Sequence, residues 1–354
     1  MNSKFPLTNF LQKPKNGFLL GKFLPPTLGH QFFFDTAASY CEHLTIAVCT
    51  LESEPIPGKL RYEWVKQMAP VNSTVYWYKH DIQQEPNGED DQAFWDAWKK
   101  VAQYAMQETA EDQIGDWDNW TNPDVVFASE KYGHRLAKEL WGARFVPVDI
   151  SRTARQVSGT KVRTDPFAYW DYIPQPVRPY FTKRVCLFGP ESTGKSTLAL
   201  ELGEHYKTVV VPEYGRTYTE AFGADVGPED LQRIVQGHLA TVAAAKRQAN
   251  RILIEDTDPV MTAVWSDMLV GNRHPWFESF DDHADLYLLT DVDIPWEDDG
   301  TRYFKNDDDR RRFFDVCQRE LEVRGVPYVR ISGDRASRFT RATSAIEEYL
   351  GLTS

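Results

Sequence analysis

The chain has 354 residues, 42% of them hydrophobic and 26% charged, with a formal net charge of −12. At roughly 100 to 200 residues per domain, that length predicts two domains, each able to bury its own core. The acid excess lies in the second half, where residues 184–354 carry 20 Lys/Arg against 30 Asp/Glu, a balance that excludes a nucleic-acid surface and disfavours an anionic membrane.

No run approaches the roughly 18 apolar residues needed to span a bilayer. Residues 1–16 lack an apolar secretory core and read as an N-terminal tail. Cys41, Cys49, Cys186 and Cys317 form no C-x-x-C pair, so neither zinc nor a disulfide framework is expected, and a reducing cytoplasm fits. The aromatic content of 13%, with 11 Trp, is assigned to core and to nucleotide-pocket walls.

Both halves alternate β-rich runs with segments of helical period, the pattern of two parallel-sheet α/β domains. In the first half, 17–23 (GFLLGKF) reads as a strand and 30–41 as a helix. Strand 43–50 (HLTIAVCT), helix 60–68 and strand 74–78 follow. In 92–107, Phe94, Trp95, Trp98, Val101, Ala102 and Ala105 form a helical stripe. Strands 124–128 and 145–149 flank a helix at 132–141, and the acidic runs 85–91 and 111–118 read as solvated loops. Pro174, Pro176 and Pro179 crowd the segment 174–183, which each proline stiffens by removing an N–H and restricting its neighbour, so a linker is expected there. The domains are therefore 17–173 and 184–354. After the linker come strand 184–188, helix 195–206 and strand 208–211. A helix starts at Pro228 with Leu231, Ile234, Val235, His238, Leu239 and Val242 on one face, and strands 251–256, 285–290 and 328–331 complete the pattern, with helices between and after.

Gly189-Pro190-Glu191-Ser192-Thr193-Gly194-Lys195-Ser196 fits G-x-x-x-x-G-K-[ST], between a strand and a helix, with Thr197 next. Its glycines let successive N–H groups cradle phosphate oxygens at a helix N-terminus. Lys195 is placed to reach the β- and γ-phosphates and Ser196 to ligate Mg²⁺. Phosphoryl transfer to a hydroxyl also needs an acid at a strand end and a base. Asp256, closing the apolar strand 252–256, is the expected Mg²⁺-side acid; Glu213 and Asp258 compete as the base. The charged run 296–302, including Arg302, and Arg310-Arg311-Arg312 are candidates for a lid that clamps phosphate.

The first strand leads into Gly21-Lys22-Phe23-Leu24-Pro25-Pro26-Thr27-Leu28-Gly29-His30. This resembles the G-x-F-x-P-x-[HT]-x-G-H signature of the nucleotidyltransferase α/β superfamily, in which this loop holds ATP and the [HT] and His positions stabilise the α-phosphate. Gly29 permits close backbone approach, and His30 at a helix start can donate to a phosphoryl oxygen. Thr27 stands where many members carry His, and it brings a hydroxyl without positive charge. The second superfamily signature, I-S-[ST]-T-x-x-R, has its counterpart in Val157-Ser158-Gly159-Thr160-Lys161-Val162-Arg163. Ser158 and Thr160 read as capping hydroxyls; together with Arg163 they can grip a triphosphate, and Lys161 adds a cation.

The two halves together resemble the NadR-type bifunctional enzymes, a nicotinamide mononucleotide (NMN) adenylyltransferase fused to a ribosylnicotinamide kinase. SEKYG (129–133), VDISR (148–152), GPESTGKST, PEYGR (212–216), EDTD and PWEDDG carry the likeness beyond the two ATP motifs. The resemblance implies a Rossmann-like nucleotidyltransferase domain and a P-loop kinase domain. It further implies ATP, ribosylnicotinamide and NMN as substrates, NAD as product, Mg²⁺ with the ATP, and Ser129, Glu130 and Tyr132 in the NMN pocket. No counterpart of the family's N-terminal helix-turn-helix domain is expected in residues 1–16, nor is direct repression of transcription. The alternative is a ribosylnicotinamide kinase whose first domain is a weak or inactive adenylyltransferase serving as a nucleotide or NAD sensor. Homo-oligomerisation stays open.

Overall fold

The computed structural model describes residues 12–351 except 84–85, 89–90, 119, 131, 152, 154–156 and 297–302. The chain forms two compact units, Met1–Val177 and Arg178–Ser354.

The first unit runs β1 (Asn16–Gly21), α1 (Leu28–Tyr40), β2 (His43–Thr50), α2 (Gly58–Met68), β3 (Ser73–Lys79), α3 (Gln92–Ile114), β4 (Val125–Ala128), α4 (Gly133–Glu139), β5 (Arg144–Pro147) and α5 (Gly159–Thr164). Its sheet is ordered β3-β2-β1-β4-β5, with every pairing parallel. Strand β2 is buried from Leu44 to Thr50, as a strand covered on both faces must be, which is why its sequence is apolar without alternation. Helix α3 runs beyond its expected end because Met106 and Ala110 continue the buried stripe. It ends at Gly115, in the left-handed conformation at φ 66°, whose N–H caps the Glu111 carbonyl. Glu111 and its neighbours up to Ile114 are therefore helical rather than part of an acidic loop.

The proline-rich segment carries a turn closed by Val177 N–H on the Pro174 carbonyl at 2.9 Å. The second unit opens with one helical turn, α6 (Arg178–Phe181), then β6 (Lys183–Phe188), α7 (Lys195–Tyr206), β7 (Val210–Val211), α8 (Tyr214–Phe222), α9 (Pro228–Ala245) and β8 (Ile252–Asp256). It continues with α10 (Pro259–Trp265), a π-helical turn at Ser266–Val270, α11 (Trp276–Ser279), β9 (Leu286–Thr290), α12 (Asp307–Arg324), β10 (Tyr328–Ile331) and α13 (Arg335–Leu350). The sheet is ordered β10-β9-β6-β8-β7, again all parallel. One face packs Val185, Leu187, Ile252, Ile254, Leu286 and Leu288 against α7 and α13. The other packs Cys186, Phe188, Tyr287 and Leu289 against α10 and α12. All four cysteines are buried free thiols, and no helix among the described residues is long and apolar enough to cross a membrane.

In each sheet the first strand of the unit lies centrally, with chain order reversing on its two sides. Open α/β sheets bind ligands at that switch point, outside the carboxyl ends of the strands. Both glycine-bearing motifs occupy it.

Candidate active sites

In the first unit, the loop after β1 packs on itself through aromatic rings. Phe23, at φ 45°, is buried and meets both His30 and Phe34 edge-on at 5.2 Å. Thr27 is the N-cap of α1 in an extended conformation and is only 1% exposed. Its backbone N–H donates to His30 Nδ1 at 3.0 Å, and its Oγ1 lies 3.0 Å from the same nitrogen. A backbone amide can only donate, so Nδ1 is the acceptor and the neutral imidazole carries its proton on Nε2. Thr27 thus sets the tautomer of His30. Adding a Cβ to Gly159 would bring it 2.4 Å from the Leu24 carbonyl, so α5 presses against the loop only because that residue is glycine. Ser158 caps α5 by accepting from Lys161 N–H at 3.3 Å. Arg163 donates to the Leu24 carbonyl and to Thr160 Oγ1 at 3.3 Å. Lys161 is exposed and its ammonium lies over the Tyr169 ring at 5.8 Å, a cation–π contact that turns it to that ring.

An open cavity of about 680 Å³ brings these pieces together: Gly21, Lys22, Phe23, Thr27, Gly29 and His30 with Ser158, Gly159, Thr160 and Arg163. Ser129, Glu130 and Tyr132 line the same cavity, as do Phe94, Trp95 and Trp98 of α3.

In the second unit, Gly189 adopts φ 129°, and a Cβ there would meet the Thr290 carbonyl at 2.8 Å; no other residue fits. Lys195 is largely buried, its Nζ donating to the Pro190 carbonyl at 2.7 Å. Thr193 Oγ1 donates to the same carbonyl at 2.7 Å and meets Thr290 Oγ1 at 2.7 Å. Gly194, Ser196 and Thr197 are exposed. Glu191 Oε1 accepts from Phe304 N–H at 2.6 Å. Arg302, with the rest of 297–302, lies outside the described residues.

The four residues of EDTD have four different surroundings. Glu255 is fully buried and takes a two-point ion pair from Arg184, at 2.9 Å for Nη2 to Oε2, with His238 Nε2 at 3.3 Å. Burial works to raise its pKa, but Arg184 and His238 outweigh it and hold the carboxyl below its ordinary value. Asp256 is 4% exposed, and its buried Oδ1 has no hydrogen-bond partner among the described residues. Thr257 takes a left-handed φ of 70°. Asp258 is the N-cap of α10: Oδ1 accepts from Met261 N–H at 3.1 Å and Oδ2 from Tyr287 O–H at 2.6 Å.

Glu213, at the N-cap of α8, lines an open pocket of about 100 Å³ with Tyr214, Arg216, His238, Asp258 and Trp265. Burial pushes its carboxyl pKa up; the nearby Lys195 pulls it down and Asp256 pushes it further up. The arginine cluster is helical rather than part of a loop, and the run 297–302 that would complete a lid lies outside the described residues. All three residues lie on α12; Arg311 and Arg312 are exposed, while Arg310 is 2% exposed and donates to the Ser192 and Ile294 carbonyls at 3.3 and 3.0 Å.

The AAA domain model matches residues 184–338. Over 362 residues the chain is 29% identical to the trifunctional NAD biosynthesis/regulator protein NadR of Escherichia coli (strain K12), covering 96% of this chain and 84% of that protein. The NadR of Salmonella typhimurium is 29% identical over 363 residues, covering 97% and 85%. The likeness to NadR therefore runs over nearly the whole chain. Two crystal structures share its fold: NadR in complex with NR, at TM-score 0.74 and 22% identity, and NadR with NAD and AMP-PNP, at TM-score 0.75 and 23% identity. Each comparison covers 97% of this chain and 98% of the other.

Beside these NadR-like features stand residues that the motifs do not name. Arg61 of α2 is fully buried and donates to the Lys22 carbonyl at 2.7 Å while pairing with Glu54 at 2.5 Å. Arg338 of α13 is 5% exposed and donates to the Thr193 carbonyl at 2.7 Å. Trp95 and Trp98 look like core in the α3 stripe, and they are core, but their edges also line the cavity. No sequence signal separates an aromatic that does both from one that only packs.

Proposed function

We propose that this chain makes NAD in two steps, with 184–354 phosphorylating ribosylnicotinamide to NMN and 17–173 adenylylating NMN. The observation that carries the reading is that the likeness to NadR spans both phosphate loops, over 96% of the chain. In the kinase step Glu213 takes the proton of the 5′-hydroxyl, the hydroxyl oxygen bonds to the γ-phosphorus, and ADP leaves. Asp258 is less suited to be the base, because both its oxygens are committed to Met261 and Tyr287. Lys195 moves from the Pro190 carbonyl to the phosphates when nucleotide enters. The unpartnered Oδ1 of Asp256 and the exposed hydroxyl of Ser196 suit Mg²⁺, which when bound with ATP neutralises charge on the phosphate oxygens.

In the adenylyl step an NMN phosphate oxygen attacks the α-phosphorus of a second ATP and pyrophosphate leaves. The nucleophile is already an anion, so positioning and charge stabilisation suffice. His30, held by Thr27 with its proton on Nε2, and Arg163 stabilise the α-phosphate, while Gly21, Lys22, Phe23, Gly29, Ser158, Gly159 and Thr160 shape the ATP site. Ser129, Glu130 and Tyr132, beside the rings of Trp95 and Trp98, supply the NMN pocket, where a flat pyridine can stack. Incubating the pure chain with ribosylnicotinamide and Mg-ATP, with products separated by chromatography, tests both steps. NAD is expected; NMN alone would leave the kinase with a sensor domain, and neither product would refute the proposal.

A further inference from the structure

A phosphate loop needs more than glycines. In a planar peptide the C=O points opposite to the N–H, so every amide aimed at an anion aims its carbonyl back into the protein, where that carbonyl needs a donor. The Ser192 carbonyl shares its peptide with the Thr193 N–H, and the Thr193 carbonyl shares its peptide with the Gly194 N–H. Two buried arginines, 118 and 145 residues away in sequence, donate to these two carbonyls, Arg310 at 3.3 Å and Arg338 at 2.7 Å.

We infer that Arg310 and Arg338 are positioning residues that hold the Thr193 and Gly194 amides toward the nucleotide phosphates. Arg338 also donates to the Asp291 carbonyl at 3.0 Å, to the Gly333 carbonyl at 2.8 Å and to the Asp293 carboxylate. It therefore ties the phosphate loop to the segments that follow β9 and β10. Arg310 does the same toward Ile294 at 3.0 Å. Only a guanidinium presents enough donors in one rigid plane to reach all these acceptors at once, and it keeps its charge when buried. Asp293 and Asp307 balance the two charges, so the arginines act on the loop through their hydrogen bonds. The inference rests on the P-loop being a nucleotide site, and it does not depend on which hydroxyl is phosphorylated.

The test is calorimetric titration of the full chain with Mg-AMP-PNP and, separately, with adenosine, fitted to two sites so that the first unit's nucleotide site, common to every variant, is the internal reference, for wild type, Arg338→Met, Arg338→Lys and Arg310→Lys. A hydrogen bond to a charged group is worth on the order of 10- to 100-fold, so Arg338→Met is expected to weaken Mg-AMP-PNP by that factor while adenosine binding stays as in wild type. Arg338→Lys restores one donor to Thr193 and is expected to fall between the two. Arg310→Lys, which keeps the charge but not the span, is expected to weaken only the phosphate-bearing ligand. Thermal melting of each variant checks the fold. Unchanged nucleotide affinity in a folded variant would overturn the inference. So would an equal loss for adenosine, or failure of every variant to fold, since either result assigns these arginines to the scaffold alone.

Discussion

Replacing Asp258 by asparagine should cost stability and leave phosphoryl transfer intact, whereas Glu213→Gln should do the reverse. Asparagine caps a helix as well as aspartate does, so the bond from Met261 N–H survives. What is lost is the acceptor of the Tyr287 hydroxyl, 2.6 Å away in the buried floor of the second unit. A hydrogen bond to a charged group contributes about 1.5–3 kcal/mol. At roughly 2–4 °C per kcal/mol for a unit of this size, the melting temperature should fall by about 3–12 °C. Part of that is offset, because burial raises the Asp258 pKa and so already disfavours its charge. Glu213→Gln removes a general base, typically worth 10²- to 10⁴-fold in rate, or about 2.7–5.5 kcal/mol of barrier. It should not destabilise the fold, since burial disfavours the Glu213 carboxylate too. The assay is the initial rate of NMN and ADP formation at saturating ribosylnicotinamide and Mg-ATP, measured well below the melting point found by calorimetry. If Asp258→Asn loses as much rate as Glu213→Gln while still folded, the assignment of the base is wrong.

Lys195→Ala should abolish NMN formation and spare NMN-to-NAD conversion, and His30→Ala should do the opposite; loss of both activities in either variant contradicts two separate sites. Thr27→Val keeps the backbone amide that fixes the His30 tautomer and removes only the hydroxyl, so NAD formation should drop by no more than one modest hydrogen bond, about 0.5–1.5 kcal/mol, in the ratio of kcat/KM values. The Glu213 pKa is raised above the ordinary 4.5, and a base must be ionised, so the rate of NMN formation should fall with pH through that raised value. The acid limb of the kcat/KM profile should then vanish in Glu213→Gln. For Glu255 the sign is opposite: its folded pKa lies below 4.5, so its contribution to stability is complete above pH 4.5 and is lost as pH falls through the depressed value. Glu255→Gln breaks a buried pair and should cost about 3–5 kcal/mol in urea unfolding at pH 7, a difference from wild type that narrows in acid.

What sequence reasoning reached, and what it missed, divides along the line between the front and the back of each site. Each phosphate loop is a contiguous stretch of at most ten residues, because one loop has to wrap one anion; Gly189 to Ser196 and Gly21 to His30 are legible for that reason. The groups behind those loops answer to topology instead. Arg310 and Arg338 reach the P-loop from α12 and α13, and in the sequence nothing marks them apart from Arg311 or Arg341, which lie on the same two helices. EDTD makes the same point inside four residues. Sequence shows an apolar strand ending in acids, yet one carboxylate neutralises Arg184, one keeps a buried oxygen without a partner, and one starts a helix. Which does which depends on residues brought in by β6, α9 and β9, and so on a sheet order that the motif does not encode. Lys161 differs again: the second signature shows a cation there, but not that its long exposed stem lies beside Tyr169. The motif therefore names the chemistry and already sets Asp256 apart as the Mg²⁺-side acid; what it leaves open is Glu213 against Asp258 as the base, and the two hydrogen bonds that commit both oxygens of Asp258 bear on that choice.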